Sequence, residues 1–200
     1  MKTEILKIDS NSPEASKIEK AVQVLRQGEI IGIPTETVYG LAVDADNREA
    51  VMQLSDIKKR PKDKPFTIQI ADLSQLRDYI GNIPPKLKLI LQEFWPGPLT
   101  IIVNGKKGKV GLRIPDNKVA LSIIRKANIP LAVTSANISG QISAVLPKTA
   151  FDTFSNSVAL IIDDGSKPDA VESTILNCTE LPFKILRRGS IADRLEELLK

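Results

Sequence analysis

Apolar residues along this chain fall into two periods that alternate. Ile18, Ala21, Val22 and Leu25 recur at helical spacing, with Ser12 and Pro13 before them and Gly28 after. That pattern predicts a helix capped by Ser12, opened by Pro13 and ended by Gly28. Continuous apolar runs at 30–33 and 38–43 read as strands. A second helix follows Asn47, with Ala50, Val51, Leu54 and Ile57 turned inward, and a strand comes at 66–70. Two further helical patterns cover 73–80 and the set Leu87, Ile90, Leu91 and Phe94. Strands at 99–103 and 110–114 are joined by the hairpin-like segment NGKKGK. A helix over 119–127 precedes a short strand at 131–133, and later strands fall near 158–162, 173–176 and 183–187. The last helix opens at Ser190, with Asp193 three residues on in a capping-box arrangement.

Hairpin-linked and helix-separated strands in one chain predict an α/β protein (α+β in some schemes) built on a mixed parallel/antiparallel sheet flanked by helices. No repeat, low-complexity tract or linker divides the pattern, so the expectation is a single domain over 1–200. With 42% hydrophobic residues among 200, the chain can bury a full core. No apolar run approaches the roughly 18–20 residues of a membrane span. The opening MKTEILKIDSNSPE is charged rather than signal-like, and the single cysteine, Cys178, excludes an internal disulfide framework. Both features predict a cytoplasmic protein without a membrane partner. There is no histidine, which removes Ser-His and Cys-His nucleophile systems and argues against structural zinc. The net charge of +4 permits an anionic ligand without demanding nucleic acid.

Candidate chemistry collects where predicted strands end. In GIPTETVYGL, the residues Pro34, Thr35, Glu36 and Thr37 separate two apolar runs. Ligand sites in α/β sheets gather at such places, and short hydroxyls there can donate to phosphate or carboxylate oxygens. The same tetrapeptide also reads as a tight connection whose threonines satisfy only the backbone. Lys58, Lys59, Arg60, Lys62 and Lys64 form a basic run broken by Pro61, Asp63 and Pro65. Such a run is ordinarily a solvated face, but two prolines stiffen this one, and fixed cations suit polyphosphate. TSANISG, at 134–140, is a loop of small, hydroxyl and amide residues that admits either a nucleotide or a plain polar turn. Arg113 ends a strand and offers a planar fork suited to a carboxylate, or else is an edge-strand arginine. Glu172, Ser173 and Thr174, then Arg187, Arg188 and Gly189, supply a second hydroxyl cluster and a second cation pair. Neither GxxxxGK[ST] nor GxGxxG occurs, so any ATP would be held by dispersed loops. FWPGPLT reads as a structural helix-to-strand turn rather than a stacking platform.

Seven separated stretches resemble the YrdC family of threonylcarbamoyl-AMP synthases: PTETVYGL, the K-x-R-P of 58–61, FWPGPLT, VGLRIP, TSANISG, VESTI and ILRRGSI. They span nearly the whole chain. The resemblance implies a twisted mixed sheet with a large basic cavity, in the single-domain form of the family. It implies synthesis of threonylcarbamoyl-AMP and pyrophosphate from L-threonine, bicarbonate and ATP. Mg²⁺ would arrive with ATP, with no protein metal ligand named and no organic cofactor. The product would serve the complex that threonylcarbamoylates tRNA, and binding of tRNA or double-stranded RNA is a further expectation. Carried over position by position, Thr37, Gln69, Arg113, Ser135 and Ser173 correspond to threonine-site residues. Lys58, Arg60, Lys64, Asn137 and Arg187 correspond to the ATP set, with Lys58 and Arg60 as the catalytic cations. Many family members have asparagine at Lys64 and histidine at Gln69 and Asn117. Gln69 can still hydrogen-bond a substrate but cannot titrate near neutrality. The main rival is a non-catalytic protein binding double-stranded RNA or tRNA, for which an aromatic content of 4% is thin.

Overall fold

The computed structural model describes residues 2–61, 64–165 and 171–200. Helix α1 (Ala15–Arg26) buries Ile18, Ala21, Val22 and Leu25, the predicted stripe. It starts later than Ser12 and Pro13 predicted, because Glu14 takes the N-cap position. The Glu14 carboxylate accepts from the Asp9 backbone N–H (3.0 Å) rather than capping the helix. Gly28, at φ +81°, turns the chain out of α1. Helix α2 (Arg48–Ile57) is capped as expected, with the Asn47 side chain accepting from the N–H groups of Glu49 and Ala50. The 73–80 pattern divides into a 3₁₀ turn (Leu73–Gln75) and the short α3 (Leu76–Tyr79), followed by α4 (Pro85–Phe94). Helix α5 (Lys118–Ala127) is capped by Asn117.

Two elements escaped the sequence. Strand β1 (Glu4–Lys7) lies at a sheet edge and is largely exposed, so it has no buried face to impose a pattern. Helix α6 (Pro147–Phe154) buries only Ala150 and Phe154, too few positions to define a period. Helix α7 (Ala192–Leu199) forms, but not with the Ser190 capping box. Ile191 occupies its N-cap without a side-chain cap, and Asp193 instead pairs with Arg188.

The remaining strands are β2 (Ile31–Ile33), β3 (Gly40–Asp44), β4 (Thr67–Gln69), β5 (Leu99–Gly105) and β6 (Gly108–Arg113). They continue with β7 (Leu131–Ser135), β8 (Leu160–Asp163), β9 (Thr174–Asn177) and β10 (Lys184–Arg187). Among the described residues they form one ten-stranded sheet in the order β1-β8-β2-β3-β7-β4-β6-β5-β9-β10. It is mixed, as expected: β8 is parallel to β1 and β2, β4 to β6 and β5 to β9, while the other neighbours are antiparallel.

Alternate residues of the central strands enter different buried clusters. Ile31, Ile33, Ala42, Leu131, Val133, Leu160 and Ile162 join residues of α1, α4, α5 and α7. Leu41, Val43, Ala132 and Ile161 join residues of α2 and α6. Helices therefore cover both faces, which is why the central strands read as continuous apolar runs.

Candidate active site

A cavity of about 170 Å³ opens over the middle of the sheet. Thr67 and Gln69 of β4 and Val133 and Ser135 of β7 line it, alternate residues that share one face of their strands. The site thus runs across a sheet face as well as along strand ends, where sequence placed it. Gln69 and Arg113 are register partners on the parallel strands β4 and β6. The close pairing of β5 with β9 brings Thr100 to Ser173, their hydroxyls 2.8 Å apart. Gly189 packs behind this edge of the site: a Cβ there would lie 2.3 Å from the Glu172 carbonyl oxygen, so only glycine lets the segment after β10 press against the VESTI strand.

Six of the ten candidate residues line this cavity: Arg60, Gln69, Arg113, Ser135, Ser173 and Arg187. Thr37, Lys58 and Asn137 stand behind the wall, bonded to residues that line it. Lys64 lies on an exposed loop, and its contribution is a backbone carbonyl that accepts from Arg60 Nε (3.0 Å). Lys62 and Asp63 lie outside the described residues. Thr35, Thr100 and Glu172 also line the cavity, although the sequence assigned none of them to a ligand. Their signal was present, since each falls inside a motif that had been read as a unit.

Lys58 is only 2% exposed and does not reach the cavity. Its ammonium donates to the backbone oxygen of Ser135, to that of Asn137 (2.7 Å) and to Asn137 Oδ1 (3.1 Å). Its own carbonyl accepts from the Ser139 N–H (2.9 Å), so this lysine ties down the TSANISG loop from both ends. Burial, and then the nearby Arg60 charge, push its pKa down to about 8, with Glu172 opposing.

The three lining guanidiniums differ in how far they are neutralised. Arg113, 6% exposed, donates from Nε to the Gly97 carbonyl (3.2 Å) and from Nη2 to Thr37 Oγ1 (2.9 Å). The same Nη2 lies 2.8 Å from Glu36 Oε1. The FWPGPLT turn therefore acts as the structural support it was read to be, presenting the Gly97 carbonyl. Arg187 donates to both the carbonyl and hydroxyl of Ser173 (3.0 Å each) and pairs with Glu172. Arg60 is held by the carbonyls of Lys64 and Pro65 and lies 4.9 Å from the Phe66 ring centre. Among the described residues it forms no salt bridge. Burial lowers the pKa of Arg60, and of Arg187 where Glu172 opposes it, yet both remain cations at neutral pH.

The hydroxyls of Thr35, Thr37 and Ser135 are engaged within the protein. Thr35 donates to the Val38 carbonyl (2.6 Å), which leaves Thr37 as the donor in the 3.0 Å Thr35–Thr37 contact. Ser135 donates to Asn137 Oδ1 (2.6 Å). The PTET hydroxyls are engaged with one another and with the backbone, the tight-connection alternative that the tetrapeptide also offered. The arginines supply donors that an anion could use, and Ser135 and Ser173 supply acceptors that an amine or alcohol could use.

A mixed sheet carrying guanidiniums beside hydroxyl acceptors offers cationic donors and lone-pair acceptors in one cavity. The chain belongs to the Sua5/YciO/YrdC family, whose model, described as "Telomere recombination", matches residues 23–189. A threonylcarbamoyl-AMP synthase of Bacillus subtilis is 37% identical over 195 residues, 92% of this chain and 56% of that protein. One from Vibrio cholerae is 31% identical over 86% of this chain and 97% of its own length. The structure of Pyrococcus abyssi Sua5 complexed with L-threonine superposes with a TM-score of 0.92 at 33% identity, covering 98% of this chain and 60% of that one. This chain thus spans little more than half the length of the Bacillus and Pyrococcus proteins.

Proposed function

We propose that this chain makes L-threonylcarbamoyladenylate and pyrophosphate from L-threonine, bicarbonate and ATP. The observation that carries the proposal is the division of labour in the cavity: Arg113, whose Nη1 has no hydrogen-bond partner among the described residues, stands beside hydroxyl acceptors, and Arg60 and Arg187 supply further cations. An amino acid matches the first, its carboxylate on Arg113 and its amine and hydroxyl on the lone pairs of Ser135 and Ser173, with Thr37 bracing Arg113 from behind. The triphosphate matches Arg60 and Arg187. The names of the Bacillus and Vibrio relatives and the threonine held by Pyrococcus Sua5 support the same assignment.

The chemistry asks little of a titrating side chain. Threonine's amine takes up CO₂ from bicarbonate, and an oxygen of the resulting carbamate attacks the α-phosphorus. The bond from that phosphorus to the bridging oxygen breaks, and pyrophosphate leaves with the electron pair. The nucleophile is already anionic, so the protein's work is to align two anions and stabilise the leaving group. Arg60 and Arg187 do this at the phosphates, while Lys58 acts by fixing the loop that carries Ser135. Glu172, the carboxylate that lines the cavity, is engaged by Arg187 and Ser143. Mg²⁺ brought with ATP would supply charge neutralisation, and no cluster of three or more carboxylate or thiol ligands among the described residues would hold it. In the cytoplasm the adenylate passes to a threonylcarbamoyl-transferase complex acting on tRNA.

Pyrophosphate release should require ATP, L-threonine and bicarbonate together. Equal release with threonine omitted sinks the assignment. Salt-sensitive RNA binding without turnover favours the binding-protein alternative.

A further inference from the structure

Glu36 sits beside Arg113 in an arrangement that stability alone does not explain. Both of its carboxylate oxygens are shut off from solvent, and neither has a hydrogen-bond partner among the described residues. Its polar contact is the 2.8 Å approach of Oε1 to Arg113 Nη2. A carboxylate kept dry by one cation contributes little net stability, because desolvation offsets the attraction. Nor does the bend between β2 and β3 need the carboxylate to hold its shape. Thr35 closes the bend onto the Val38 carbonyl (2.6 Å), and the Tyr39 N–H donates to the Ala144 carbonyl (2.9 Å).

The effect of Glu36 falls instead on Arg113. Gly97 holds Nε, while Thr37 and Glu36 converge on Nη2. Nη1 makes no hydrogen bond with the described residues, and Arg113 lines the cavity. A guanidinium gripped along its Nε and Nη2 sides has its remaining N–H groups fixed in direction. From this geometry we infer that Glu36 is a positioning residue, which orients the Arg113 guanidinium so that its Nη1 can receive the amino-acid carboxylate. This role rests on the threonine-binding reading above and adds to it the residue that holds the fork in place.

The test is titration calorimetry of L-threonine and, separately, ATP with the wild type, Glu36→Ala and Glu36→Gln, together with steady-state kinetics. Loss of one charge-assisted contact to Arg113 predicts a threonine Kd about tenfold weaker in Glu36→Ala. The ATP Kd should stay within about twofold, and the kinetic loss should appear in the threonine KM rather than in kcat. Glu36→Gln keeps the shape and one acceptor oxygen, so its threonine Kd should lie between the other two. If the alanine variant does not fold, the glutamine variant carries the test, with threonine weakened and ATP spared. Three results overturn the role: unchanged threonine binding in the variants, an equal loss for ATP, or tighter threonine binding. The last would make Glu36 a competitor for Arg113 rather than its support. A wild type that binds no L-threonine overturns the functional reading and this role with it. A wild type that binds, with variants that bind alike, overturns the role alone.

Discussion

At the residue scale, Lys58 shows how a charge in a motif can act without touching a ligand. Its three N–H groups meet three acceptors of the TSANISG loop, an arrangement that needs the ammonium. Lys58→Met leaves those acceptors without their donor in a buried place, which should cost about 2–4 kcal/mol. Both the thermal midpoint and the activity should therefore fall, in contrast to loss of a cation that served phosphate alone. The pKa near 8 adds a pH dependence. As pH rises through about 8 the folded protein loses this proton, while the unfolded chain keeps it until its ordinary, higher lysine value. This group's contribution to global stability thus rises with pH over that interval, since the unfolded state binds more protons. The neutral amine, with two N–H groups for three acceptors, holds the loop less firmly. Above about pH 8 the wild type should lose threonine affinity faster than Lys58→Met does, a comparison in which the titration of threonine's own amine cancels. Titrations between pH 7 and 9.5 decide it.

At the element scale, Asn117 ties helix α5 to the segment after β8. Its Oδ1 accepts from the Ala120 N–H (2.9 Å), and its Nδ2 donates to Asp164 (2.8 Å). Asn117→Ala removes both, at a cost of about 1–2 kcal/mol. In a chain of this size that lowers the melting temperature by about 2–8 °C. Threonine affinity should not change, because Asn117 does not line the cavity. A thermal melt paired with one threonine titration checks both halves. The elements legible in sequence were those with a full stripe, such as α1 and α5, or a fully buried strand, such as β2. β1 and α6 were missed because an exposed edge and a two-residue contact leave little trace. The capping box at Ser190 matched in letters only, since Arg188 draws Asp193 outward.

At the scale of the whole molecule, one cavity gathers residues from Thr35 to Arg187. A ligand that bridges segments so far apart should stabilise the folded chain strongly. L-threonine at a hundredfold excess over its Kd adds about 2.7 kcal/mol, a rise in melting temperature of about 5–10 °C. In Arg113→Lys the same rise should need roughly ten- to a hundredfold more threonine, since lysine replaces a planar fork with a point charge. Thermal shift against threonine concentration measures it, and no shift at saturation in the wild type contradicts the site.

The sequence by itself determined most of the sheet's strands, the helices with full apolar stripes, and the residue types that could meet an anion. Periodicity, capping residues and strand-end polar clusters are local, and a local signal can be read along a line. Only the tertiary structure decided which of those groups keep a free donor. Lys58 and Ser135 are 77 residues apart, and Arg113 lies 76 from Thr37. Whether a proton points into the cavity or away from it depends on such partners, met across the fold. The same holds for Glu36, whose letter sat in view between two threonines. Its place beside Arg113 is a contact made across β7 and β4, the two strands that separate β3 from β6, and no spacing along the chain encodes it.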